Sequence, residues 1–211
     1  MKVSTDNEVR EMYDPTADSY AAMMDTEIAL PLYAETLSRL SKSIANIQGP
    51  LIDTSCGPGH MLSLYRERFD EKRPIIGVDL SPRMVALAGT RLGSGVDIRV
   101  GDMRCLEFVK DGSAAGAISF FALHHVDPEG VRSALQEWWR IIVSEGQLLL
   151  ATWEGNGPID YGTHSDLVSL RYTEKEIASW AKSAGFSVSR CVVEPVEGME
   201  MDAVYLEATR Q

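Results

Sequence analysis

The sequence predicts an α/β fold in which helices pack on both faces of a seven-stranded sheet, mostly parallel, with an antiparallel hairpin at its C-terminal end. From residue 30 onward, short apolar runs alternate with segments of helical periodicity, a pattern typical of doubly wound sheets. Only one helical segment interrupts the last three apolar runs, so we expect the last two to pair as the hairpin. The length of 211 residues favours one domain, residues 1–211.

The elements follow in order along the chain. The predicted strands are the apolar runs Leu51–Asp53, Pro74–Asp79, Ile98–Asp102, Ala117–Phe121, Gln147–Trp153, Phe186–Val193 and Ala203–Ala208. The predicted helices are the periodic segments Leu32–Ile47, His60–Phe69, Pro82–Leu92, Pro128–Ile142 and Thr173–Ala184. Ser81 before Pro82 is a helix start signal, and Gly185 after Ala184 is a stop signal.

Two stretches fall outside this alternation and are expected to cover the ligand. Residues 1–30 precede the first strand and carry Tyr13, Tyr20 and several methionines, which predicts an N-terminal lid. Residues 154–172 form a polar, glycine-containing insertion after the fifth strand, which we expect on the substrate side. Both expectations rest on the general tendency of loops on a rigid sheet to carry binding residues.

Composition argues against several classes of partner. Lys and Arg total 20 against 31 Asp and Glu, a net charge of -11, and no basic run could neutralise a row of phosphates, so we expect no nucleic acid partner. No stretch approaches the roughly 20 apolar residues of a membrane span, and no signal peptide is evident, so we expect no membrane association. Cys56, Cys105 and Cys191 have no zinc-ligand spacing and predict reduced thiols, as in a cytoplasmic protein.

Residues 51–60, LIDTSCGPGH, place two glycines directly after the first predicted strand. Gly57 and Gly59 allow a sharp turn and close approach to a ligand, and the following helix offers unpaired N–H groups. This loop lies at the crevice where parallel sheets bind ligands. A dinucleotide-binding loop would have its third glycine where Leu62 stands, and the GKS or GKT of a Walker loop is absent. The sequence therefore disfavours NAD and ATP.

Four ordered motifs resemble those of the class I S-adenosylmethionine-dependent methyltransferases. They are DTSCGPG at 53–59, GVDLSPRMVALA at 77–88, GDM at 101–103 and ISFFALHHVDP at 118–128. The resemblance covers residues 10–208 and implies a Rossmann-like sheet with S-adenosyl-L-methionine as cofactor. The implied activity is methyl transfer, and a small-molecule acceptor is the default because no NPPY-type motif or added RNA-binding or peptide-binding domain is present.

The resemblance also implies which residues bind the cofactor. The first motif, with Asp53, Gly57, Gly59 and Ser55 in place of the usual first glycine, would hold the methionine part. Asp79, at the end of the second strand, would accept hydrogen bonds from the ribose hydroxyls.

The adenine end of the cofactor is implied by the next two motifs. Leu80 would border the adenine, with Met84 one helical turn further along. Asp102 and Met103 occupy the position that recognises adenine, and Phe120 would line the floor of the cofactor site. Leu80, Met103 and Phe120 are equally compatible with an ordinary apolar core.

The resemblance further implies a cofactor cover and candidates for catalysis. Tyr13 and Tyr20 fit the pattern YxxxAxxY, here YDPTADSY, with packing as the alternative. His125 and His124 are the candidate bases; neighbouring strand residues face opposite ways, so we expect only one to reach the site, and His125 is preferred. Tyr20 is a candidate for orienting the acceptor. A base is required only if the nucleophile arrives protonated.

The acceptor side is the least specified part of the sequence. Asp160, Tyr161 and His164 in the insertion are candidates for lining its pocket. No magnesium-type acidic cluster or zinc spacing is present, so we expect no metal. A macromolecular methyltransferase and a catalytically silent cofactor-binding protein remain alternatives, and the oligomeric state is left open.

Overall fold

The computed structural model of the chain describes residues 3–162, 165–196 and 199–211. Its helices are α1 (Asp6–Glu27), α2 (Pro31–Ile44), α3 (His60–Arg68), α4 (Pro82–Leu92), α5 (Pro128–Ile141) and α6 (Glu174–Ser183). Its strands are β1 (Leu51–Asp53), β2 (Ile75–Asp79), β3 (Asp97–Val100), β4 (Ala114–Phe120), β5 (Ile142–Trp153), β6 (Phe186–Pro195) and β7 (Asp202–Arg210).

The strands form one sheet in the order β3-β2-β1-β4-β5-β7-β6. The first five strands are parallel to one another, whereas β7 is antiparallel to both β5 and β6. The predicted fold class, including the C-terminal hairpin, is therefore confirmed. The chain runs outward from β1 to β3 and then returns to β4, so the strand order reverses between β1 and β4. A ligand is expected outside the carboxyl ends of these two strands.

Local sequence signals explain where several helices begin. Thr5 caps α1 through a reciprocal capping box with Glu8, which stabilises the first turn. Ser81 accepts a hydrogen bond from the backbone N–H of Met84, and Pro82 follows it, so α4 starts where the sequence predicts. Both caps orient elements that border the carboxyl edge of the sheet.

The core lies on both faces of the sheet. One cluster packs α5 and α6 against the sheet and contains Trp138, which is fully buried. The other packs α2, α3 and α4 against the opposite face and contains Leu37 and Tyr65, also fully buried. In the described part of the chain, no helix is both long and apolar enough to cross a bilayer.

Every predicted strand except β1 differs from the observed strand at one boundary or both. β5 begins at Ile142, directly after α5, instead of at Gln147. The exposed residues Ser144 and Glu145 lie between Ile142 and the predicted run that begins at Gln147. The sequence pattern therefore placed the start of the strand too late. β3 ends at Val100, so Asp102 lies in the loop after the strand, within reach of α1.

Candidate functional site

A cleft opens at the carboxyl edge of the sheet, between the loops that follow β1 to β4 and helix α1. We call it the cofactor cleft. Most residues that the sequence assigns to the cofactor line it: Tyr13, Tyr20, Ser55, Gly57, Asp79, Leu80, Met84, Asp102, Met103 and Phe120. Arg10 and Arg104 also line this cleft and were not anticipated from the sequence.

The remaining two residues of that assignment lie elsewhere. Asp53 is buried beneath the loop and lines an adjoining pocket instead. Gly59 caps α3 in the left-handed region, with φ of 86°. A Cβ atom there would lie 3.2 Å from Cα of Ala88, so the absence of a side chain permits close packing of α3 on α4.

The loop after β1 is held in place by carboxylates. The backbone N–H of Gly57, which has φ of 49°, donates to Oδ2 of Asp79 at 2.8 Å. The N–H of Ser55 donates to Oδ1 of Asp53 at 3.2 Å. The hydroxyl of Ser55 lies 3.2 Å from that of Ser119 on β4. Ser55 therefore joins β1 to β4 at the point where the strand order reverses.

Asp79 connects two loops at the centre of the cleft. Its Oδ1 accepts a hydrogen bond from the N–H of Ser81 at 2.9 Å, while Oδ2 accepts from Gly57. Burial raises the pKa of Asp79, and the nearby charge of Asp14 adds to this rise, whereas the backbone donors oppose it. Each carboxylate oxygen retains a lone pair for further donors.

Asp53 is a second buried carboxyl near the same loop. It is 2 % exposed, and burial raises its pKa to about 7. The hydrogen bond from Ser55 opposes this rise in pKa, and the charge of Asp79 contributes to it. Asp53 therefore titrates near neutral pH, where a ligand cation would favour its ionised form.

Asp102 is part of an ion-pair network with α1. Arg104 Nε donates to Oδ1 of Asp102 at 2.9 Å, and Arg104 also donates to Oδ2 at 2.7 Å. The same guanidinium donates to Asp6 of α1 at 2.6 Å. The backbone carbonyl of Met103 accepts from the indole of Trp138 at 3.0 Å, which anchors this loop to α5.

Helix α1 covers the cleft with its two tyrosines. The rings of Tyr13 and Tyr20 lie nearly perpendicular with centroids 6.1 Å apart. Burial raises the pKa of both phenols, so they remain protonated donors at neutral pH. The hydroxyl of Tyr13 lies 2.9 Å from Nε2 of His125.

The two histidines lie on a short 3-10 helix, Leu123–His125, beyond the end of β4. The expectation that they alternate as strand residues is therefore wrong, because the strand has already ended at Phe120. His125 lines the cofactor cleft and His124 lines the adjoining pocket, with ring centroids 3.9 Å apart. Burial lowers the pKa of His125 to about 4 and lowers that of His124 well below its usual value.

The insertion after β5 reaches the same histidines. The hydroxyl of Ser169 lies 3.1 Å from Nδ1 of His125. The backbone N–H of Leu170 donates to the carbonyl of His124 at 2.8 Å. Ser4, just before α1, exchanges hydrogen bonds with Val168, so the insertion also contacts the start of the N-terminal segment. Nothing in the sequence pattern pointed to Ser169.

A second pocket adjoins the cofactor cleft, and we call it the acceptor pocket. Tyr13, Tyr20, Phe120 and Phe121 line both cavities. The sequence candidates Asp160 and Tyr161 line the acceptor pocket, whereas His164 lies outside the described residues. Among the described residues, no three His, Cys, Asp or Glu side chains are grouped as a metal site would require.

Phe121 has an unusual backbone conformation. Its φ of 52° is in the left-handed region, where a non-glycine residue with a bulky side chain is strained. Its ring lies 4.6 Å from that of Trp153, and its N–H donates to the carbonyl of Ala151 at 2.8 Å. The side chain of Phe121 lines both cavities.

Comparison with known proteins identifies the domain. Residues 51–146 match the family model described as a methyltransferase domain. The chain is 31% identical over 171 residues to a 37.1 kDa protein of transposon TN4556 from Streptomyces fradiae. That match covers 72% of this chain and 47% of the relative, so the chain spans about half the length of the curated relative it matches.

Similar solved structures share the fold over most of the chain. The 1,6-didemethyltoxoflavin-N1-methyltransferase of Burkholderia thailandensis is 18% identical with a TM-score of 0.74, covering 100% of this chain and 92% of that one. The partner of the Trm112 methyltransferase activator from Haloferax volcanii is 19% identical with a TM-score of 0.75, covering 95% and 96%.

A third solved structure was determined with S-adenosyl-L-homocysteine bound. It is the geranyl diphosphate C-methyltransferase of Streptomyces coelicolor A3(2), which is 17% identical with a TM-score of 0.64, covering 83% of this chain and 77% of that one. Residues 51–146 therefore carry a methyltransferase domain, and the chain shares the fold of methyltransferases whose structures contain S-adenosylmethionine or S-adenosylhomocysteine.

Proposed function

We propose that the chain transfers a methyl group from S-adenosylmethionine to a small-molecule acceptor. The observation that carries this proposal is the junction of two cavities at one edge of the sheet. The cofactor cleft and the acceptor pocket share the side chains of Tyr13, Tyr20, Phe120 and Phe121 as walls. Two ligands bound in these cavities would meet at the aromatic walls they share.

The residues of the cofactor cleft fit S-adenosylmethionine. Gly57 brings a bare backbone to the cleft, where a side chain would point toward the ring of Tyr20. Asp79 retains lone pairs for the ribose hydroxyls, and Leu80 and Met84 offer apolar surface to the adenine. Asp102 is held in a fixed orientation by Arg104, with which an amine donor of the cofactor would share the carboxylate oxygens.

S-adenosylmethionine, when bound, supplies an electrophilic methyl group on a sulfonium. For such a displacement, holding the acceptor in line and excluding water provide much of the catalysis. We propose that residues 1–30 act as the lid that excludes water, with Tyr13 and Tyr20 closing the cleft. Residues 154–172 would form the substrate side, and Tyr20 would orient the acceptor.

The two histidines are proposed as the candidates for proton transfer. His125 and His124 lie next to the shared wall and remain neutral at pH 7, because burial lowers the pKa of each. A neutral imidazole can accept a proton, but a base with a pKa of about 4 is a weak one for an alcohol or phenol. An acceptor whose nucleophile is already unprotonated would need no such base.

The charge of the chain and the similar enzymes bear on whether the acceptor is a macromolecule or a small molecule. A macromolecular acceptor with a phosphate backbone would meet a chain of net charge -11. The toxoflavin and geranyl diphosphate enzymes act on small molecules, whereas the Haloferax volcanii protein is bound to an activator protein. A small acceptor accords better with a pocket covered by α1 and the insertion.

Calorimetric titration with S-adenosylmethionine, S-adenosylhomocysteine and NAD is the first test. We expect binding of the first two and none of NAD. Incubation of the protein with S-adenosylmethionine and a panel of small metabolites, read as formation of S-adenosylhomocysteine, is the second. Binding without turnover on any acceptor would favour the catalytically silent alternative, and binding of NAD alone would contradict the proposal.

A further inference from the structure

The acceptor pocket has walls rich in methionine. Its five methionines come from α1, from α3 and from the segment that precedes β7: Met23, Met24, Met61, Met199 and Met201. Met24 and Met61 are buried, whereas Met23 and Met199 are about half exposed at 46% and 51%. Methionine side chains are flexible and polarizable, so they can pack around an apolar ligand of irregular shape.

Aromatic rings form a second part of the same pocket. Phe121 and Trp153 lie with centroids 4.6 Å apart and planes inclined by 39°, and Tyr161 of the insertion lines the pocket beside Ile159. The backbone of Phe121 has a φ of 52°, and its ring lines the pocket. A flat apolar molecule would find both a ring surface and adaptable side chains here.

The charged side chains of the pocket all have one sign. Among the described residues that line it, the only carboxylates are Glu27, Asp53 and Asp160, and there is no Lys or Arg. The imidazoles of His60 and His124 have lowered pKa values, chiefly through burial, and so contribute no positive charge at pH 7. Phosphate and carboxylate groups are usually bound by Arg or Lys, neither of which is among the described residues of this wall.

One part of the pocket wall is formed by the loop after β1. The loop residues from Asp53 to Pro58 belong to the motif that would hold the methionine part of the cofactor, and the start of α3 offers unpaired N–H groups there. An anion bound at that position would be the carboxylate of the cofactor. The acceptor is left with the apolar wall and with the carboxylates of Glu27 and Asp160.

We propose that the acceptor is an apolar, ring-containing molecule that carries no phosphate, sulfate or carboxylate group. This inference rests on the proposed function, because it concerns the second ligand of the same reaction. It separates the chain from the geranyl diphosphate methyltransferase, whose fold it shares but whose ligand carries a diphosphate. A hydroxyl or amine on the acceptor would be the group that faces the carboxylates.

A matched pair of probes tests this inference. With the protein saturated in S-adenosylhomocysteine, 1-naphthol and 1-naphthyl phosphate are titrated while tryptophan fluorescence is recorded, and Trp153→Phe identifies the signal from the pocket. We expect 1-naphthol to bind at least about tenfold more tightly than its phosphate ester, because the ester would place a charge in an apolar, acidic wall.

Charge substitution supplies the control. Asp160→Lys should improve the affinity for 1-naphthyl phosphate several-fold, whereas Asp166→Lys, an exposed residue of the same insertion that does not line the pocket, should leave it unchanged. Equal or tighter binding of the phosphate ester by the unchanged protein would overturn the inference, as would failure of 1-naphthol to bind. Failure of S-adenosylhomocysteine itself to bind would instead overturn the proposed function.

Discussion

The hydroxyl of Tyr13 lies 2.9 Å from Nε2 of His125, so helix α1 and the segment after β4 meet across the cofactor cleft. The other ring nitrogen of His125 lies 3.1 Å from the hydroxyl of Ser169. Because burial lowers the pKa of His125 to about 4, its neutral ring has one donor and one acceptor nitrogen to share between these two hydroxyls. One imidazole thus joins α1, the segment after β4 and the insertion.

We predict that His125→Ala and Tyr13→Phe each weaken binding of S-adenosylhomocysteine by about three- to tenfold, the effect of one hydrogen bond. Both substitutions remove the same contact, so the double variant should bind no more weakly than the more affected single variant. Calorimetric titration of the three variants measures this coupling. Fully additive losses would show that the two residues act separately.

The role of His125 as a base is tested by the same variants. Loss of a general base lowers kcat by about 10²- to 10⁴-fold, whereas loss of a positioning contact acts mainly on ligand affinity. A loss of that size in His125→Ala, with unchanged affinity and no counterpart in Tyr13→Phe, would assign the base role. With a folded pKa of about 4, the ring should give no inflection near pH 6.5 in the kcat profile.

Ion pairs are predicted to hold the lid closed. Three carboxylates of α1 pair with arginines of the underlying loops and α4: Asp6 with Arg104, Asp18 with Arg83, and Asp25 with Arg91. Exposed pairs of this kind are individually weak and screened by salt. Raising the salt concentration from about 0.05 to about 0.5 M should therefore speed hydrogen exchange of residues 8–29 in the free protein.

S-adenosylhomocysteine should suppress that exchange, because it would fill the cleft beneath α1. The variant Arg83→Gln should reproduce the effect of salt on residues 8–29, whereas Arg190→Gln, which removes a pair with Glu194 on β6, should not. Exchange that is equally slow with and without ligand, and at both salt concentrations, would show that α1 is a permanently packed helix.

The buried carboxyl of Asp53 should make stability depend on pH. Its pKa rises from 3.8 to about 7 on folding, so the folded state binds this proton more tightly than the unfolded state. The resulting stabilisation is complete below pH 3.8 and is lost as the pH rises toward 7.

The side chain of Asp53→Asn does not ionise, so the variant lacks this loss of stability with rising pH. Its amide keeps an oxygen for the N–H of Ser55. The stability of the variant relative to the unchanged protein should rise with pH by about 1 kcal/mol per unit between pH 5 and 7. Urea denaturation of the ligand-free proteins at pH 5 and 8 measures it, with the exposed Asp166→Asn as control. A difference that is the same at both pH values would show that Asp53 ionises normally.

Elements with strong local signals were predicted well. β1 and α4 have the predicted bounds, because an apolar run before the glycines marks β1 and Ser81 with Pro82 marks the start of α4. The residues predicted at strand ends line one cleft because parallel strands bring their carboxyl ends to one edge of the sheet. That rule needs only the position of each residue in its strand.

Long-range contacts could not be predicted in this way. Arg104 lies two residues after Asp102, yet its binding to Asp6 depends on how α1 crosses the sheet. Ser169 contacts His125 only because the insertion folds back over the end of β4. The left-handed backbone of Phe121 has no signature in its residue type, since the sequence reads there as the last residue of a strand. Each of these features depends on tertiary packing.

Asp79 provides the sharpest test of the cofactor site. Asp79→Ala should remove two proposed charge-assisted bonds to the ribose, each worth about 1.5–3 kcal/mol, and so weaken S-adenosylhomocysteine by about 10²-fold or more. The sequence alone predicts little change in the stability of the ligand-free protein. The structure adds that the N–H groups of Gly57 and Ser81 would lose their acceptor, which should cost about 1 kcal/mol each.

Two further variants separate binding from folding. Asp79→Asn keeps one acceptor oxygen and removes a buried charge, so it should restore part of the stability while leaving the cofactor weakly bound. Ser81→Ala removes the cap of α4 and its contact with Asp14 but leaves the carboxylate of Asp79, so it should lower stability with a much smaller effect on affinity.

Calorimetric titration of the three variants measures their affinity for S-adenosylhomocysteine, and urea denaturation measures their stability. If Asp79→Ala is clearly destabilised yet binds S-adenosylhomocysteine as tightly as the unchanged protein, Asp79 only anchors the two loops and the ribose must be bound by other groups of the cleft.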